Sequence, residues 1–73
     1  DPVEVARLML PYIARHLEDG GKLHQVTRHM LGLFSGRPGA RRWRQVLSAE
    51  ATRPGAGPEV VEAALDHVTR DAA

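Results

Sequence analysis

The side chains able to do chemistry in this 73-residue chain are four histidines, nine carboxylates, Ser35, Ser48 and ten cations, with no cysteine. Without a thiol there is neither a disulfide nor a thiolate zinc site. His24 and His29 lie five positions apart, which on a helix turns them roughly 140° from each other. No carboxylate neighbours them in sequence and no HExxH string occurs. His16 and His67 are isolated and are expected at boundaries between core and solvent. Neither serine stands in a nucleophile-elbow context, and neither GxGxxG nor a P-loop lysine–serine pair is present. Metal, nucleophilic and nucleotide-cradle chemistry are therefore not expected, and these residues alone are predicted to be non-catalytic.

The cations tell more. None of the nine carboxylates lies between Gly20 and Ala49, a window that holds Lys22, Arg28, Arg37, Arg41, Arg42 and Arg44 and carries a net charge of +6 with His24 and His29 neutral. The remainder sets four arginines against nine carboxylates, a net −5. The overall +1 thus hides a strongly divided chain, the mark of a surface meant for a polyanion. Five of the six window cations are Arg, whose planar fork suits phosphate. The plainer alternative is a solvated basic face with no ligand. For thirty residues without an acid, phosphate contact is the stronger expectation.

Four segments are predicted to position these groups. The first spans about Pro2 to Asp19, with Asp1 as N-cap, Pro2 in the first turn and Glu4 where a capping box needs it. Val5, Ala6, Met9, Leu10, Ile13 and Leu17 share its apolar face. Pro11 removes one helical hydrogen bond, so the helix is expected to kink there or to break near Leu10. Gly20-Gly21 ends it. The second segment, about Lys22 to Phe34, aligns Leu23, Val26, Met30, Leu33 and Phe34 with Thr27. Gln25, Arg28 and Gly32 lie opposite. Gly32 suits either a tight helix crossing or close approach of a backbone or phosphate. The third, about Gly39 to Ala49, buries Ala40, Trp43, Val46 and Leu47 and turns Arg41, Arg44 and Gln45 outward, with Arg42 at the border. After the Arg53–Pro58 loop, a fourth helix opens at Pro58 and buries Val60, Val61, Ala64, Leu65 and Val68. No stretch alternates with period two, so no strand is predicted. The fold class is all-α, a small antiparallel four-helix bundle.

A domain this small buries only about 60% of the surface of its unfolded chain, too little for a large enclosed catalytic cavity. No apolar run nears the roughly 20 residues that span a bilayer, and no charged-then-apolar leader is present. A cytoplasmic protein without membrane association is expected. The first residue is Asp1 rather than Met, which suggests a piece of something longer. With only Tyr12, Phe34 and Trp43 as aromatics, and the last two on core stripes, nucleic acid would be read through backbone and shape rather than by stacking on bases.

The stretch Leu23 to Ser48 closely resembles the C-terminal signature of the A-type tRNA-dihydrouridine synthases, which reads much like TRHMLGLFxGxPGARxWRxxLS. The match comprises Thr27 to Phe34, Gly36, Pro38 to Arg41, Trp43-Arg44 and Leu47-Ser48. It is a long and compositionally unusual string. Tyr12, Gly21 and the Pro-Gly linker also fit the family. The resemblance implies that residues 1–73 are a C-terminal helical domain that helps hold tRNA. Its partner would be an N-terminal TIM barrel that binds FMN, in which the flavin reduces the C5–C6 bond of D-loop uridines with NADPH as reductant and a cysteine as general acid. None of the barrel, its cysteine or its flavin-phosphate loop lies in this chain.

On this reading the domain clamps folded tRNA while a uridine enters the flavin site. Arg28, Arg37, Arg41 and Arg44 are the first candidates for phosphate contact, followed by His29, Lys22, His24 and Arg42. Two alternatives stand beside it: a DNA-binding helical module with Arg41 and Arg44 on its recognition helix, and an interaction bundle whose basic face docks an acidic protein partner. An apolar face normally covered by the barrel would leave self-association open.

Overall fold

In the computed structural model, which describes residues 1–71, the chain forms four helices: α1 (Pro2–Glu18), α2 (Leu23–Thr27), α3 (Ala40–Glu50) and α4 (Pro58–Asp71). No strand occurs among the described residues. The all-helical class follows from the apolar stripes, each of which needs a neighbour to cover it. α4 lies against both α3 and α1, while α2 bridges α1 and α3.

α1 takes the N-cap its sequence predicts, but no bond from the Glu4 side chain closes the expected capping box. The Asp1 carboxylate accepts the Val3 N–H at 3.0 Å, and the helix runs unbroken through Pro11. It ends in a glycine-dependent turn: Gly20, at φ +91°, donates to the Leu17 carbonyl and Gly21 donates to that of His16. These two bonds satisfy carbonyls the helix would otherwise leave open. The buried seam of α1 is narrower than the sequence pattern suggested. Ala6 and Ile13 are fully buried and Met9, Leu10 and Leu17 partly so, but Val5 is 44% exposed. At 100° per residue Val5 sits about 80° from Ile13, on the flank it shares with exposed Leu8 and Tyr12.

The second segment departs most from expectation. Its α-helix stops at Thr27, and the chain to Arg37 continues as overlapping turns in which Met30, Leu33, Ser35 and Arg37 each donate to the carbonyl three residues back. A donor distant in sequence takes the carbonyl that the helix would need. An α-helix would offer the Met30 carbonyl to the Phe34 N–H; here the Trp43 indole takes it at 2.9 Å, alongside the Leu33 N–H at 3.1 Å. Gly32 further weakens the helix. The exposed Gly32 meets only the Ser35 hydroxyl, at 3.6 Å from where a Cβ would stand, so no tight helix crossing occupies it.

The core nevertheless collects the expected side chains. Leu23, Val26, Thr27, Met30 and Phe34 are buried with Ala40, Trp43 and Leu47 of α3 and Val60, Val61, Ala64, Leu65 and Val68 of α4. Leu33 and Val46 are only partly covered. Phe34 meets Trp43 edge to face, with ring centroids 4.7 Å apart. α3 is preceded by Gly39 as N-cap, whose φ of +85° lets the turn reverse directly into the helix. At the head of α4 the Glu59 carboxylate accepts the Gly57 N–H at 3.0 Å, a negative charge well placed against the helix dipole.

Candidate nucleic-acid interface

The core contacts that orient α2 and α3 leave their basic side chains outside. Lys22, His24, Arg28, His29, Arg37, Arg41, Arg42 and Arg44 are all exposed. The only ion pair among the described residues is Arg53–Glu50 at 3.3 Å, so none of the eight pairs with a described carboxylate within 4.0 Å. Their charge is turned to solvent rather than cancelled internally.

Part of this set is brought together. A cleft of about 260 Å³ between α2 and α3 is lined by His24, Thr27, Arg28, Leu31, Leu47 and Ser48, among others. Arg41, Arg44 and Ser48 recur at three- and four-residue spacing and so share one helix face. Ser48 thus carries the cleft into the Arg41–Arg44 face. Lys22 extends the rim from the other side, because it lines with His24 a neighbouring depression of about 490 Å³ beside the 51–57 turn. Arg37 stands in the turn leading into α3, where its own N–H donates to Phe34 and its carbonyl accepts from Ala40.

Two members are placed elsewhere. Arg42 lies about 160° around α3 from Arg44 and lines a depression against α4 together with Glu50, Arg53 and Glu59, so it faces carboxylates and not the acid-free cleft. His29 is turned towards α1. Its Nε2 accepts from the Arg28 Nε at 3.2 Å, and its ring lines a separate cleft with Met9, Tyr12, His16, Gln25 and Val26.

That second cleft is the feature the sequence pattern did not reveal. Gln25 Oε1 accepts the Lys22 backbone N–H at 2.9 Å and pairs with His16 Nε2, also at 2.9 Å. The Tyr12 ring lies nearly parallel to that of His16, with centroids 6.4 Å apart. A legible signal existed in the four-residue spacing of Tyr12 and His16, but their meeting with Gln25 and His29 depends on how α1 packs on α2. Among the described residues, no three of His, Cys, Asp and Glu gather as a metal ion would require. None of the described helices is long and apolar enough to cross a membrane.

Comparison with known proteins supplies a context for this surface. A family model described as dihydrouridine synthase (Dus) matches residues 1–69. A tRNA-dihydrouridine(20/20a) synthase of Shewanella oneidensis is 55% identical over 67 residues, covering 92% of this chain and 20% of that protein. Its counterpart in Salmonella typhi is 57% identical over 65 residues, covering 89% of this chain and 20% of the relative. The one in Escherichia coli K12 has the same identity over the same length, covering 19% of the relative. The chain therefore spans about a fifth of the length of the curated relatives it matches. No solved structure matches.

Proposed function

Since the chain belongs to the dihydrouridine synthase family, we propose that residues 1–73 are the C-terminal helical, tRNA-gripping domain of an A-type tRNA-dihydrouridine synthase acting in the cytoplasm. On this reading the four helices form a small antiparallel bundle, bent at Pro11, that holds a cationic surface against folded tRNA. The reduction of uridine belongs to a barrel domain outside these residues. FMN and NADPH belong there too. Among the described residues the polar side-chain atoms that are buried are those of Thr27 and the Trp43 indole, and no buried side-chain nitrogen or oxygen lacks a partner. The interior therefore aims nothing at a flavin ring, and this chain does not fit that cofactor.

What the domain contributes is position. A uridine within folded tRNA has to leave its stack before it can react, at a cost of a few kcal/mol. Charge-assisted bonds from guanidinium to phosphate offset that cost by holding the rest of the molecule still. The observation that carries the reading is the acid-free meeting of α2 and α3. His24 and Arg28 face Ser48 across a cleft, Arg41 and Arg44 continue the same face, and among the described residues no carboxylate pairs with them. Arg37 and Lys22 flank this face, while Arg42 and His29 stand outside it as secondary contacts.

The test is the salt dependence of tRNA binding by the full-length enzyme. Each phosphate contact contributes up to about −0.9 to the slope of log affinity against log salt on the duplex scale. Changing Arg28, Arg41 and Arg44 together to Ala should preserve helicity and flatten the slope by up to about 2.7. An unchanged slope and affinity would sink the assignment. Duplex DNA competing as well as folded tRNA would favour the DNA-binding alternative, and binding of an acidic protein without RNA would favour the docking one.

A further inference from the structure

The cleft between α1 and α2 holds a second kind of recognition. We propose that Tyr12, His16, Gln25 and His29 form a seat for one unpaired nucleobase of the bound RNA, with the adjoining phosphate held by Arg28. This rests on the tRNA-binding reading above and adds base contact to it. The uridine to be reduced must reach the flavin, so the base seated here is a different one.

Four observations converge. First, Tyr12 is 56% exposed although it stands beside partly buried Met9 and buried Val26. An open phenol ring over an apolar floor is what a stacking base needs. Second, the cleft has a volume of about 460 Å³, within the roughly 300–1,000 Å³ of ordinary small-ligand sites. Third, its polar atoms are already oriented. Gln25 Oε1 is occupied twice, by the Lys22 N–H and by His16 Nε2. That fixes Nε2 of His16 as the protonated nitrogen and leaves the Gln25 amide NH₂ as the free end. Likewise His29 Nε2 accepts from Arg28, so Nδ1 of His29 carries the proton and is free to donate. The seat therefore offers two donors, from Gln25 and His29, to the carbonyl or ring-nitrogen acceptors on a base edge. Fourth, Arg28 joins this cleft to the cationic one: its Nε holds His29 here and its side chain lines the α2–α3 cleft there. A nucleotide with its phosphate on Arg28 has its base directed towards either depression, and only this one presents an exposed aromatic ring.

The test uses the full-length enzyme and an unmodified tRNA transcript. Tyr12→Leu should weaken binding about thirtyfold, the middle of the range for losing one base–aromatic stack, with the salt slope unchanged because no phosphate contact is lost. Tyr12→Phe keeps the ring and should bind within about twofold of the parent. Removing unpaired bases one at a time, as abasic sites, should reproduce the loss at a single position. That loss should not add to the loss from Tyr12→Leu, as expected when one contact is removed from both sides. Wild-type affinity in Tyr12→Leu overturns the proposal, and leaves the phosphate reading standing if the triple arginine variant still flattens the slope. A lowered melting temperature of RNA-free Tyr12→Leu enzyme assigns this flank, with exposed Val5 and Leu8, to packing against the rest of the protein and equally overturns it.

Discussion

Trp43→Phe tests whether the indole–carbonyl bond is what shapes the basic turn between α2 and α3. Trp43 is fully buried, donates to the Met30 carbonyl at 2.9 Å and meets Phe34 edge to face. The substitution keeps an aromatic ring but removes one buried hydrogen bond, worth about 1 kcal/mol net. The carbonyl is not orphaned, because the Leu33 N–H still reaches it at 3.1 Å, so the larger penalty for a buried unpaired group does not apply. Truncating Trp to Ala costs about 3–5 kcal/mol; retaining a phenyl ring should limit the packing loss to about 1–2 kcal/mol. The sum is about 2–3 kcal/mol. A chain of this size has a total stability of about 4–11 kcal/mol, and each kcal/mol moves the melting temperature by about 4–8 °C. Thermal unfolding followed by circular dichroism should therefore show a fall of about 10–20 °C. Benzothienylalanine at position 43, which keeps the bicyclic shape but has no N–H, should account for about 1 kcal/mol of this. A fall below about 4 °C for Trp43→Phe would refute the idea that this bond organises residues 28–37.

Two glycine substitutions probe the turns on either side. Gly39→Ala places a side chain at φ +85° and should cost about 1–2 kcal/mol, read as a melting-temperature fall of about 5–15 °C. Gly21→Ala is different in kind, because its backbone is unstrained but a Cβ would overlap the His16 imidazole. The half-buried ring can swing away, so the melting temperature should move by less than about 4 °C. The His16–Gln25 hydrogen bond should be lost, visible as a shifted Gln25 side-chain amide resonance while the backbone bond from Lys22 persists.

The apolar spacing located the core well even where it misjudged the element. Leu23, Val26, Met30 and Phe34 are buried as their spacing predicts, yet only the first two lie in an α-helix. Turns closed three residues back advance by about 120° per residue against about 100° in an α-helix, so side chains three or four apart still lie within about 120° of one another and can meet the same core. The α-helix and the turns differ in which carbonyl is free for a distant donor. That donor, the Trp43 indole, lies thirteen positions away, outside any local window. Val5 shows the converse limit: its type and spacing suit the core, but the width of the buried seam depends on how many helices lean on α1.

The candidate surface was legible to a similar depth and failed at the same point. The acid-free window announced a cationic region because charge sums need no geometry. Its division did not show, since sequence distance says little about helix face: adjacent Arg41 and Arg42 differ by about 100°, enough to place one beside Arg44 and the other beside Glu50 and Glu59. This division sharpens what a substitution at each position means. If phosphate contact follows from the α2–α3 face, then Arg42→Ala should leave the salt slope of tRNA binding nearly intact while Arg41→Ala flattens it by up to about 0.9. If both flatten it equally, net charge alone draws the RNA, and the geometry of the cleft adds nothing to the grip.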